Sequence, residues 1–284
     1  LDIQKMRAVA IAINKDYLEH IQKCVIDELK NIFPDCINKN DTFLPQVLLN
    51  IYAKTGTQFI VITDEWDCFF REEKNNSELI KRYLNFLRAM YKGTESDLFI
   101  KLAYMTGILP IKQYDVQSAM NYFWEYTMLN PGKLAEFVGF TEDEVKALCD
   151  KYNMDFDEMK RWYDGYSFRK IKSVYAPNSV VKAIDNEVFA SYWTQTGTYE
   201  SIKNAINYNF NGLRDEVISL LSGKRISVNR LGFENDMTSI KTNDDVFTLL
   251  VHLGYLAYDS INKKVYIPNK EIAEEFAIAI KYSY

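Results

Sequence analysis

The sequence predicts an α/β protein with a parallel sheet in its first part, a mainly helical second part and a helix–hairpin–helix end. Three observations carry that expectation. Phe59-Ile60-Val61-Ile62-Thr63 is a short β-branched and aromatic run. Leu98-Phe99-Ile100-Lys101-Leu102-Ala103-Tyr104-Met105 is a second. Both are apolar almost without alternation, as strands covered on both faces of a parallel sheet are. Between them, Ile80, Tyr83, Leu84, Leu87 and Tyr91 line one face of a helix expected to be capped by Ser77, with Lys81, Arg82 and Arg88 away from it. Strand, helix, strand over this distance describes a right-handed crossover unit.

The other elements follow in order. Helical spacing runs from about Met6 to Ile32, and Phe33-Pro34-Asp35 breaks it. A helix is expected from Phe43 to Tyr52, stopping at Lys54-Thr55-Gly56. Beyond Pro110 strands give way to helices. Thr141-Glu142-Asp143-Glu144 fits a capping box. Helices are expected over Phe156–Tyr163, after a cap at Asn178, near Tyr199–Ile206, and over Leu213–Leu221 and Asp244–Leu253. Tyr255–Tyr258 and Lys264–Ile267 flank a hairpin loop, and Asn269 caps a last helix. Helix, hairpin, helix is compatible with a winged-helix-like unit. The change of character between Pro110 and Gly132 divides the chain into residues 1–115 and 116–284.

Composition narrows the function classes. With 48% hydrophobic and 26% charged residues among 284, the chain has the make-up of a soluble globular protein with a large core. A net charge of −5 argues against a mainly electrostatic nucleic-acid binder. No apolar run approaches the roughly 20 residues of a membrane span. Leu1–Asn14 lacks the basic head and cleavage site of a secretory signal. Cys24, Cys36, Cys68 and Cys149 form no C-x-x-C pair, and only His20 and His252 could assist them. They read as reduced, buried thiols of a cytoplasmic protein rather than a zinc site.

The chemistry-bearing constellation is Asp64-Glu65, directly after the first strand. In open parallel sheets, ligands bind beyond the carboxyl ends of the strands. There Asp64 could hold Mg²⁺ on the phosphates of a nucleoside triphosphate, and Glu65 could orient or deprotonate the attacking water. The second strand ends in Thr106-Gly107, whose hydroxyl could meet the γ-phosphate or that water. Beside this stands the plainer reading of two solvated acids at a strand end and a simple turn before Pro110.

Phe59–Asp67 resembles the Walker B segment of the bacterial AAA-ATPase-like family, an apolar strand followed by Asp-Glu-Tyr-Asp, with Trp66 in place of the Tyr. Met105-Thr106-Gly107-Ile108 is similar to that family's strand ending in Thr-Gly. Phe137–Val145, the Trp162-Tyr163-Asp164-Gly165-Tyr166 run, Val174–Val180 (with Ala176 for a usual Asn), Tyr192–Gly197, Leu253–Leu256 and Ile267–Glu271 resemble further elements of it in order.

The resemblance implies an incomplete ASCE-type P-loop NTPase sheet over 1–115, then a helical lid and a winged-helix-like end over 116–284. It implies catalytic roles for Glu65 and Thr106, with Asp64 binding both cofactor and metal. The aromatic cluster of Trp162, Tyr163, Tyr166 and Phe168 reads first as a packed corner between domains. Asp164 or Arg161 reaching the nucleotide is the functional alternative. Nothing in the sequence singles out an arginine finger among Arg71, Arg161, Arg169 and the other arginines.

Nothing in the chain matches G-x-x-x-x-G-K-[ST]; Gly132-Lys133 and Gly223-Lys224 lack the rest of the motif. In the family that loop lies upstream of the segment matched by Leu1-Asp2, and a restriction-endonuclease-like nuclease domain often follows. ATP and Mg²⁺ are therefore the expected cofactors of the complete protein, with none expected bound to these 284 residues. A protein partner or fused effector domain is expected as well. Two other readings stand beside the ATPase-like core: a degenerate NTPase-fold scaffold or interaction module, and a nucleic-acid-binding winged-helix protein. The last is disfavoured by Glu271, Glu274 and Glu275 on the final helix, against Lys270 and Lys281.

Overall fold

The computed structural model describes residues 1–73, 75–108, 122–168, 171–193, 210, 212–229 and 240–282. It is a mixed α/β structure that separates into two compact units, Leu1–Glu125 and Tyr126–Tyr284.

In the first unit, α1 (Ile3–Ala12) and α2 (Tyr17–Ile32) replace the single helical stretch expected from Met6 to Ile32. The break follows from Asn14, which turns left-handed at φ 51°, and from Asp16, whose side chain accepts from Glu19 N and starts a new helix. α3 (Leu44–Thr55) stops where expected, at Gly56, whose φ of 70° is the left-handed turn that ends helices. β1 (Phe59–Thr63) runs parallel to β2 (Ile100–Met105). The residues expected to begin the second strand instead form the short helix α6 (Ser96–Phe99). Between the strands lie α4 (Cys68–Glu72) and α5 (Ser77–Tyr91). The α5 cap is Asn76, which accepts from Leu79 N, rather than Ser77.

One face of this sheet is buried. Val61 of β1 joins Ile21, Leu48, Phe69, Tyr83, Leu87 and Phe99 in a single core drawn from α2, α3, α4, α5 and α6. The opposite face departs from the expectation of strands covered on both sides. Ile60, Ile62, Leu102 and Tyr104 are between 49% and 64% exposed. Ile60 pairs with Leu102 and Ile62 with Tyr104 in register, so the four side chains form one apolar patch. On the far side of β1, Asp2 makes a parallel bridge to Asp64, and Leu1 N donates to Ile62 O at 2.6 Å.

The second unit contains two small antiparallel sheets. β3 (Phe140–Thr141) and β4 (Tyr166–Phe168) flank β5 (Ile171–Tyr175). Packed with them are α7 (Glu142–Tyr152), α8 (Phe156–Tyr163) and α9 (Pro177–Asn186). The capping box of α7 forms, Thr141 N donating to the Glu144 carboxylate at 2.8 Å. α9 begins at Pro177, with Ala176 rather than Asn178 in the cap position.

The end of the chain follows the expected order. α10 (Leu213–Leu221) and α11 (Asn243–His252) precede the hairpin of β7 (Ala257–Asp259) and β8 (Lys264–Tyr266). β6 (Ile226–Ser227) pairs with β8, and α12 (Lys270–Tyr282) closes the unit, with Asn269 accepting from Ile272 N. Val217, Phe247, Leu250, Tyr255, Val265 and Phe276 form its core. The helix expected near Tyr199–Ile206, the Thr194–Gly197 part of the signature there, and Arg169 lie outside the described residues.

The acids of α12 are not arranged as the sequence reading assumed. Glu271 and Glu275 are buried and Glu274 is half-buried, so most of the negative charge counted against a phosphate-facing surface points inward. Cys36, Cys68 and Cys149 are buried free thiols, while Cys24 is half-buried. Burial pushes the Cys68 thiol up to about 11, which makes it an inert core residue. No described helix is long and apolar enough to cross a membrane.

Candidate functional site at the carboxyl end of the parallel sheet

The last residue of β1 is tied down from inside. Thr63 is buried, its hydroxyl hydrogen-bonded to Tyr91 OH at 2.8 Å on α5. From there the chain emerges at the sheet rim without losing its backbone bonds. Asp64 N donates to Leu1 O at 2.7 Å and Ile3 N donates to Asp64 O at 3.1 Å. Across the sheet, Thr106 N donates to Thr63 O at 2.9 Å and Trp66 N to Thr106 O at 3.0 Å. The ends of β1 and β2 are thus laced together, and Asp64, Glu65 and Thr106 occupy one corner.

Their side chains complete it. The Thr106 hydroxyl donates to Asp64 Oδ1, which also accepts from Glu65 N at 3.0 Å. Asp64 is exposed, and its Oδ2 has no hydrogen-bond partner among the described residues. Glu65 adopts a left-handed conformation at φ 53°, uncommon for a residue with a side chain and held only where its surroundings fix it. Its carboxylate is half-buried and forms an ion pair with Arg71 Nη2. Burial is the chief cause raising the Glu65 pKa; Arg71 opposes it, while Asp67, Asp64 and Asp2 add to it.

Two further residues complete this corner: Asp67, which ends the Walker B-like run, and Arg71, which the sequence does not distinguish from the other arginines. Asp67 is fully buried, its Oδ2 accepting from Ile108 N at 3.1 Å and from Arg71 Nε at 3.2 Å. It therefore ties the segment after β2 to the start of α4. Gly107 permits this approach, because a Cβ there would stand 2.6 Å from Trp66 Cδ1 and 2.8 Å from Asp67 Oδ1. The space that the missing side chain leaves is taken by Trp66 and Asp67. The i, i+4 spacing of Asp67 and Arg71 was the available signal, since it places the pair one turn apart on a helix.

The corner suits a hydrated magnesium ion better than a fully protein-ligated one. Mg²⁺ keeps several waters and uses one or two carboxylates together with substrate phosphates. Asp64 Oδ2 at the rim fits that demand. Among the described residues, no cluster of three or more His, Cys, Asp or Glu side chains is placed to hold a metal.

The aromatic run of the second unit is built differently. Trp162, Tyr163 and Tyr166 are buried. Tyr166 OH donates to Gly254 O, and Tyr163 OH donates to Ala190 O at 2.9 Å. Gly165, at φ 123°, lies so close to Pro268 that a Cβ would be 2.0 Å from its carbonyl oxygen. This is a packed corner inside one unit rather than between two. Asp164 accepts from Ser173 Oγ at 3.0 Å, and Arg161 pairs with Glu158 on the surface.

Comparison with protein families bears on the unit that carries this rim. Residues 4–117 match the model of a family described as predicted AAA-ATPase. A curated protein of Azotobacter chroococcum mcd 1, the uncharacterized protein in the vnfD 5' region, is 24% identical over 156 residues. That stretch is 54% of this chain and 30% of the relative, so the match spans under a third of the longer protein. No solved structure matches. Over residues 4–117, then, with its small parallel sheet and helices, the chain is similar to the predicted AAA-ATPases at the level of an ATPase-like core.

Proposed function

We propose that this corner is the water- and magnesium-handling part of an ATP-hydrolysing site. The observation that carries the reading is the joining of Asp64 and Thr106 by a hydrogen bond beside Glu65, at the carboxyl end of a parallel strand pair. Asp64 would hold Mg²⁺ through water with Oδ2, since Oδ1 is occupied by Thr106 and Glu65 N. Bound there with ATP, the ion would neutralise charge on the β- and γ-phosphates. Glu65 would accept a proton from the attacking water, or orient it, with the carboxylate oxygen that Arg71 leaves open. Thr106 would keep Asp64 turned toward the rim and offer its hydroxyl oxygen to the water.

In this reading the first unit is an incomplete ASCE-type sheet, and the second acts as helical lid and winged-helix-like end. The order α10, β6, α11, β7, β8, α12 supports the latter. Nucleotide turnover would regulate an attached effector domain or a protein partner. A second reading, a degenerate NTPase fold used for interaction, is favoured by the exposed apolar face of Ile60, Ile62, Leu102 and Tyr104.

ATP turnover by the complete natural protein separates the two. Glu65→Gln is expected to lower kcat by about 100-fold or more while leaving ATP affinity intact. Turnover indifferent to that change would defeat the hydrolytic reading.

A further inference from the structure

The structure points to a function for Arg71. It lies on α4, one turn beyond Asp67, with its side chain only 14% exposed. Each nitrogen of its guanidinium faces a different carboxylate. Nε donates to Asp67 Oδ2 at 3.2 Å, Nη2 pairs with Glu65, and Nη1 stands 3.7 Å from Glu72 Oε1. A guanidinium so engaged is not available as an arginine finger toward a phosphate.

We propose that Arg71 is the positioning residue for Glu65, bridging its carboxylate to the buried Asp67 so that one oxygen is held and the other faces the rim. The proposal rests on the hydrolytic reading above. Three further observations support it. Asp64, Glu65 and Asp67 put three acids into four residues, and Asp2 from the start of α1 adds a fourth negative group. Repulsion would splay such carboxylates apart, and Arg71 is the cation that touches two of them. Glu65 is left-handed, a conformation that persists only where surrounding contacts over-determine it. Those contacts are the Arg71 ion pair, Glu65 N to Asp64 Oδ1, and Cys68 N to Glu65 O at 2.9 Å. Lastly, the Asp67 Oδ2 that accepts from Arg71 Nε also accepts from Ile108 N, so Arg71 refers the Glu65 carboxylate to the end of β2, where Thr106 sits. A planar fork can span two carboxylates in this way; an ammonium, a single point charge, holds one well.

The test is a double-mutant cycle on kcat in the complete natural protein. Arg71→Gln is expected to lower kcat about 100-fold, the cost of misplacing a reacting group by about 1 Å, with KM for ATP changed less than about threefold. Arg71→Lys should recover about tenfold of that loss. In the Glu65→Gln background, Arg71→Gln should cost less than about threefold more, because its effect passes through Glu65. If Arg71→Gln does not fold, Arg71→Lys, which keeps a cation beside Asp67, carries the same cycle. An equal loss of kcat from the Arg71 change in both backgrounds overturns the proposal. So does an unchanged kcat, or a lysine variant no better than the glutamine one. Should Glu65→Gln silence turnover while Arg71→Gln does not slow it, this inference alone falls. Should Glu65→Gln have no effect, the hydrolytic reading falls and takes the inference with it.

Discussion

Two segments of this chain combine acids with aromatic side chains, and they do opposite things with them. In Asp64-Glu65-Trp66-Asp67, Trp66 goes into the core, where Tyr83 OH donates to its carbonyl at 2.7 Å, while Asp64 stays exposed and Glu65 half-exposed at the sheet rim. In Trp162-Tyr163-Asp164-Gly165-Tyr166, the aromatic side chains are buried, and their hydroxyl groups are spent on backbone carbonyls. The first segment leaves acceptors open to solvent at a strand end; the second spends its tyrosine hydroxyls on a corner and leaves Asp164 Oδ1 buried without a hydrogen-bond partner among the described residues. Composition alone does not separate a site from a joint. The difference lies in whether the acceptor left over is open to solvent, as at Asp64, or enclosed, as at Asp164.

The largest expected effect tests whether the first segment is also structural. Asp67→Ala removes the carboxylate shared by Arg71 and Ile108 N, leaving a nearly buried guanidinium without its buried counter-charge. It should cost about 3–5 kcal/mol of unfolding free energy, read from urea denaturation. A cost below about 1 kcal/mol would show that the rim is held by its backbone bonds alone.

The second segment has its own breaking point at Gly165. An Ala there must adopt φ 123° and drive a methyl into the Pro268 carbonyl. Gly165→Ala should destabilise the second unit by about 3 kcal/mol in the same measurement. A near-neutral outcome would mean that the corner can shift, and the contrast with the rim would weaken.

A smaller effect concerns Glu271, also in the second unit. Its Oε1 accepts from Ser179 Oγ at 3.0 Å, Tyr192 N at 2.7 Å and Trp193 N at 3.0 Å, yet burial still raises its pKa above the ordinary 4.5. The folded state therefore holds this proton more tightly than the unfolded chain. That contribution is complete below the unfolded value and is lost as pH rises through the folded one. Against Glu271→Gln, the wild-type unfolding midpoint should fall by about 2–4 °C between pH 4 and pH 8. A gap that stays constant across this range would place the Glu271 pKa at its ordinary value.

Much of this was legible in sequence, for local reasons. β1 was read to the residue because its apolar run is bounded by Gly56 and by Asp64-Glu65. The α7 capping box and the Asn269 cap were readable because each partner lies within three residues. Misreadings arose where two local signals competed, as at Asn76 and Ser77, or where a helical turn ran into a strand at Ser96–Phe99. The Asp64–Thr106 contact was anticipated only as a neighbourhood. It depends on the register of β1 against β2, which pairs Thr63 with Met105 across 42 residues of chain.

What the sequence determined by itself, then, is where strands and helices start and stop and which acids stand at a strand end, because periodicity and capping act over a few residues. Tertiary structure alone decided which sheet face stays bare, why Glu271 and Glu275 turn inward on a helix that looks charged, and which carboxylates share Arg71. Those choices depend on what each side chain meets after the chain has folded back on itself, and partner distance and burial are properties of the packed molecule.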